Sequence, residues 1–97
     1  MMEAAIFVAG VLMPPPEFER PPEVRVIVRH LPAAHIDRVC RLYPELGGNH
    51  NGEFGACANP GEVVCTVTLP YPGSVGPERY AALARHELAH CNGWRHD

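Results

Sequence analysis

Lysine is missing from this chain: all eight basic residues are arginine. They are spread out, and the net charge is −3. That balance gives no electrostatic footprint for nucleic acid, so none is expected as a partner. The lysine deficit itself reads as codon bias. A long hydrophobic run is also lacking. The apolar stretch from Ala4 to Met13 is ten residues, and a membrane-spanning helix needs about 20. It follows Glu3 instead of basic residues, and no clear small-residue cleavage site comes after it, which argues against a signal peptide. A buried strand or a flexible leader is expected there, in a cytoplasmic protein with no membrane association. There is no internal repeat.

Cysteine is scarce. Cys40, Cys57, Cys65 and Cys91 fit no zinc-knuckle spacing, and four cysteines allow three full pairings. Without an export signal, the default is reduced thiols in the core. Cys57 and Cys65 flank the turn at Asn59-Pro60-Gly61, so a bridge across that hairpin is the alternative.

What the chain does have is turn formers: eleven prolines and nine glycines in 97 residues. They imply short elements within one domain carrying a modest core. Residues 1–23 divide off as an N-terminal leader and proline-rich connector ("PPPEFERPPE"), leaving 24–97 as the folded domain. Val24 to Arg29 reads as a strand. A helix carries Ile36, Val39, Cys40 and Tyr43 at helical spacing and stops at Pro44. Residues 47–52 ("GGNHNG") read as a loop, Glu53–Ala58 and Val63–Leu69 as strands around a turn, and 70–77 as another loop. Pro77 opens a second helix and Gly93 stops it. The order implies an α+β fold, a small mixed sheet backed by two helices. Tyr80, Ala84, Leu88 and Cys91 share one face of the second helix. His86 and His90 lie about 140° round from it, at about 100° per residue.

The last twelve residues, "HELAHCNGWRHD", carry the chemistry. His86 and His90 are four apart, so their rings stack on one side of the helix and can share a metal ion. Two ligands are too few for a catalytic zinc site, which takes three from the protein. The turn at Gly93 brings His96 back as the third. Glu87, beside the first ligand, is placed to accept a proton from water. Asp97 is a further oxygen donor.

This pattern resembles the zincin metallopeptidases, and within them the metzincins. Their signature H-E-x-x-H-x-x-G-x-x-H is met at His86, Glu87, His90, Gly93 and His96, and an aspartate after the last histidine, here Asp97, is similar to the adamalysin variant. The strand–helix–strand–strand–helix order is similar to the N-terminal subdomain of a zincin, over roughly residues 24–97. In scale the chain is similar to small bacterial and phage-encoded zincin-like proteins. The resemblance implies Zn2+ held by His86, His90 and His96, with Glu87 as general base of an endopeptidase acting on peptide or protein substrates. It implies an edge strand beside the cleft, supplied by Glu53–Ala58 or Val63–Leu69, that pairs with the peptide. It also implies a later subdomain with a methionine-containing turn under the metal. The methionines here are Met1, Met2 and Met13, so the lower wall is expected from a partner subunit.

The other candidates carry weaker patterns. His30, His35 and His50 have no mutual ligand spacing, though His50 lies in a loop able to approach the cleft. Tyr71 and Tyr80 are possible hydroxyl donors, with Tyr80 on the packing face. Trp94 is expected to brace the turn to His96. The alternative function is a non-catalytic, zinc-stabilised interaction or assembly module, in which metal closes the tail of a small fold. Glu87 separates the two, since a closed structural site does not need a carboxylate beside its first ligand.

Overall fold

The computed structural model describes residues 5–42, 49–50 and 53–96, with the backbone alone at 49, 50, 53 and 54. Eleven elements follow in order: strands β1 (Phe7–Val8) and β2 (Val11–Leu12), a 3-10 turn (Pro16–Phe18), β3 (Arg25–Leu31), helix α1 (Ala33–Cys40), β4 (Asn49–His50), β5 (Glu53–Phe54), β6 (Cys57–Pro60), β7 (Val64–Pro70), α2 (Pro72–Val75) and α3 (Pro77–Cys91).

The main sheet has the order β3-β7-β6. β3 runs parallel to β7, with Val26 opposite Cys65 and Val28 opposite Val67. β6 runs antiparallel to β7, with Cys57 opposite Thr68 and Pro60 opposite Cys65. The sheet is therefore mixed, as expected. A parallel pair needs a crossover, and α1 lies in it. β7 is the central strand, so Val63–Leu69 is not the edge expected beside the cleft; β6 is an edge. The strand expected over Glu53–Ala58 divides in two, because β5 pairs with β4 in a separate two-stranded ladder. The stretch 70–77, read as a loop, contains the short helix α2. Pro72 at its start fits the first helical turn, where no N–H is required.

Strand alternation sends side chains to two faces. Cys65, Val67 and Leu69 of β7 and Ala58 of β6 join Ala82 and Leu83 of α3 in the larger core, with Val26 packed against it. On the other face Cys57 meets Ile36 and Cys40 of α1, with Leu31 alongside. The cysteines are bonded, Cys40 to Cys57 and Cys65 to Cys91. This corrects both the reduced-thiol default and the Cys57–Cys65 hairpin bridge. Cys57 faces α1 while Cys65 faces α3, so the two cannot meet across the sheet.

The N-terminal segment lies on α3. Ala9 and Gly10 have φ of 50° and 79°, and two positive φ angles in succession suit the tight type I′ turn that joins β1 to β2. Val11 and Met13 enter the larger core. Glu19 makes a two-point ion pair with Arg85 at 3.0 and 2.9 Å. The Asn92 amide donates to the carbonyls of Phe18 and Arg20 at 2.9 and 2.6 Å. The segment read as leader and connector is thus clamped along the helix that carries the motif. Among the described residues, no helix is long and apolar enough to cross a membrane.

Candidate metal centre

α3 begins at Pro77, with Gly76 as its cap residue and Glu78 in its first turn. It ends as the sequence predicts. Gly93 has φ 94°, its N–H bonds to the His90 carbonyl, and the Trp94 N–H bonds to the Ala89 carbonyl, each at 3.1 Å. That pair of bonds is the Schellman motif, which needs a left-handed residue and so favours glycine. The reversal carries His96 back over the helix.

The three histidines meet there. His96 Nε2 lies 2.9 Å from His86 Nε2 and 3.2 Å from His90 Nε2. Zinc–nitrogen bonds of about 2.0–2.1 Å in a tetrahedron put ligand nitrogens roughly 3.3 Å apart, so this spacing suits a shared ion. The candidate ligand atoms of all three lie within 4.8 Å of one another. These three histidines could hold a metal ion.

The ring orientations have identifiable causes. The His86 Nδ1–H donates to the Leu12 carbonyl at 2.6 Å, and the His90 Nδ1–H to the Trp94 carbonyl at 2.7 Å. A donor at Nδ1 leaves Nε2 as the basic nitrogen in the neutral ring. Both Nε2 lone pairs then face His96, whose single proton cannot serve both, whereas a cation can. Carbonyl partners of this kind fix the tautomer of metal-binding histidines. Burial lowers the pKa of His90 and outweighs the Trp94 carbonyl, which favours the cation; the charges of His96 and Arg95 also push it down. Burial thereby favours the neutral, ligating form of His90.

Trp94 sits among the three imidazoles. It stacks on His90 with ring centres 5.0 Å apart and planes 14° from parallel, and meets His86 edge-on at 4.8 Å. Its expected bracing role is thus seen in the packing.

Glu87 is only 2% exposed. Its Oε1 is buried with no hydrogen-bond partner among the described residues, and desolvation raises the carboxyl pKa well above its ordinary value. An unpaired buried carboxyl oxygen costs about 1–3 kcal/mol.

One sequence expectation needs correction. α3 was expected to bury Tyr80, Ala84, Leu88 and Cys91 and to expose the histidine side. Those four do pack against the larger core, half-buried, but the histidine side is covered as well: Ala82, Leu83, His86, Glu87, Ala89 and His90 are buried. The helix is covered twice, by the sheet and by the N-terminal segment.

Among the described residues, the remaining candidates lie apart from this cluster. His30 Nε2 is 2.6 Å from the Tyr80 hydroxyl and its ring stacks with Tyr71. His35 is exposed. Asp97 and the side chain of His50 lie outside the described residues. Sequence reasoning missed Leu12 and the carbonyl role of Trp94. A backbone oxygen leaves no signature in residue type, so no signal was available. Comparisons with protein-family models, curated proteins and solved structures found no match to this chain.

Proposed function

We propose that this protein is a zinc-dependent metalloendopeptidase of metzincin-like character. The observation that carries the reading is the convergence of three imidazole Nε2 atoms; Glu87, next to the first of them in sequence, is buried with an unpartnered Oε1 among the described residues. Three nitrogen donors from the protein are the usual complement of a catalytic zinc. A zinc ion held there supplies Lewis acidity and eases deprotonation of a water molecule. His86 and His90 present Nε2 because Leu12 and Trp94 hold their Nδ1 protons. Glu87 takes the proton of the attacking water at Oε1 and returns it to the leaving amine.

The structural-zinc alternative is weakened by the disulfides. Cys65–Cys91 already pins the end of α3 to the central strand, so the tail does not need a metal to close it. The disulfides also favour an oxidising compartment over the cytoplasm.

The test combines metal analysis with digestion of a mixed peptide library by zinc-loaded wild type and Glu87→Gln. About one zinc per chain in both, with hydrolysis by wild type alone, supports the reading. Equal cleavage by the two proteins, or folded wild type that takes up no zinc, would sink it.

A further inference from the structure

The face of the sheet turned away from α3 is only partly covered. Ile36 and Cys40 of α1 pack against Cys57, with Leu31 alongside. Next to them a polar pocket of about 180 Å3 is lined by Arg29, Cys57, Asn59, Thr66 and Thr68. The strand register builds it. Arg29, Thr68 and Cys57 are neighbours in one row across β3, β7 and β6, and Thr66 and Asn59 are paired in the next. Strand alternation keeps these side chains on the face opposite Cys65, Val67 and Leu69. The metal centre on α3 therefore contributes nothing to the lining.

Hydrogen-bond donors dominate the pocket. The Arg29 Nε and Nη2 donate to Thr68 Oγ1 at 3.3 and 3.1 Å. A guanidinium has five N–H donors, so three remain, including both on Nη1. Thr68 is 2% exposed. Its oxygen accepts twice from Arg29, which leaves the hydroxyl proton to be given elsewhere. The Thr66 hydroxyl and the Asn59 amide add further donors. Among the described residues the lining holds no carboxylate, and neither ion pair involves Arg29.

One positive charge ringed by neutral donors selects a singly charged anion. A carboxylate matches the guanidinium in charge and planarity and accepts two parallel N–H bonds from it. A phosphate of about −2 calls for a second cation, and Arg25, the other arginine on this face of β3, is outside the lining. The volume is below the roughly 300–1,000 Å3 of drug-sized ligands, so the acid is small or only its end enters.

We propose that this pocket is a carboxylate-binding site, holding a small organic acid or the C-terminal carboxylate of a peptide against Arg29, Asn59, Thr66 and Thr68. The proposal does not rest on zinc or on peptide hydrolysis.

The test titrates the full chain with acetate, N-acetyl-glycine and N-acetyl-glycinamide, followed by proton–nitrogen NMR. The signals read are the Arg29 Nε–H, the Asn59 side-chain amide and the backbone amides of Thr66 and Thr68. The Trp94 indole signal, on the other face, reports any separate binding at the metal centre. Both acids are expected to move the pocket signals, and the neutral amide to need about 10–100-fold higher concentration. Equal half-saturation by the two acids identifies a small acid as the ligand; tighter N-acetyl-glycine identifies a chain end. Arg29→Gln should weaken binding by about the same 10–100-fold, and Thr66→Val, which keeps the shape, by about 3–10-fold. Arg25→Gln removes the same charge outside the lining and should leave binding unchanged. Pocket signals that stay put, equal response to acid and amide, or equal weakening by Arg25→Gln and Arg29→Gln overturns the site. Inorganic phosphate saturating below acetate overturns the choice of carboxylate.

Discussion

The two faces of the sheet each carry a helix and a disulfide, yet they bury different chemistry. On the α1 face lie Ile36 and the Cys40–Cys57 pair, with Leu31 at the margin, and buried Thr68, whose hydroxyl accepts from Arg29 at 3.1 and 3.3 Å. On the α3 face, the aliphatic core is followed by His86, Glu87 and His90, all at most 4% exposed. Burying apolar carbon stabilises by about 25 cal/mol per Å2; burying a carboxylate and two imidazoles opposes folding unless they are paired. Among the described residues, the one buried polar side chain on the α1 face, Thr68, is paired with Arg29. The α3 face spends stability on groups whose arrangement makes sense with a cation among them. Each disulfide closes a short loop, with separations of 17 and 26 residues, so the two should stabilise alike, by about 3 kcal/mol each on the chain-entropy account. The comparison teaches that similar scaffolding can support a largely apolar layer and one that buries ionisable groups, and that the cost of buried polar groups tells them apart.

The sharpest break in the comparison comes from the ligands. His90→Ala is expected to reduce zinc from about one per chain to near none and to abolish hydrolysis, with elemental analysis as the measurement; retention of zinc would show that the ion sits elsewhere. Glu87→Gln comes next. Loss of the base should lower the rate by about 10²–10⁴-fold while zinc content holds. Because the substitution also removes a buried acid, thermal stability should not fall, and a marked drop in melting temperature would assign Glu87 to the scaffold.

The disulfides test the two faces directly. Cys40→Ser/Cys57→Ser and Cys65→Ser/Cys91→Ser should each cost about 3 kcal/mol in denaturant unfolding. Only the second pair should also weaken zinc binding in a competition titration, since Cys91 follows His90. Equal effects on zinc would erase the distinction between the faces. The smallest effect is expected from Arg85→Ala, which breaks the exposed pair with Glu19. That should change stability by under about 1 kcal/mol, measured by chemical denaturation, and a larger loss would mean that this one contact holds the N-terminal segment.

Much of α3 was legible because its signals are local. Proline at the first turn, the four-residue histidine spacing and a glycine stop act through neighbours on one helix, and the observed bonds at Ala89, His90, Gly93 and Trp94 follow from them. The strand at Val64–Pro70 was legible from its alternation of Cys65, Val67 and Leu69, which enter the larger core, with Thr66 and Thr68. Its central position was not, because pairing order depends on which distant strands flank it. The division of 53–58 between two ladders, and the helix at Pro72–Val75, likewise escaped periodicities only a few residues long.

By itself, the sequence determined the helix that carries the motif, the turn at its end and the candidate ligand set, since each depends on torsions and spacings within about twelve residues. Only the tertiary structure decided the rest of the centre. Folding paired Cys65 with Cys91 and Cys40 with Cys57 by sending neighbouring strand residues to opposite faces. It buried Glu87 with Oε1 lacking a hydrogen-bond partner among the described residues, and it laid the N-terminal segment over α3 so that Leu12 orients His86 from 74 positions away. A contact of that range is set by which surfaces find apolar cover in the assembled core, and no short window of residues contains that information.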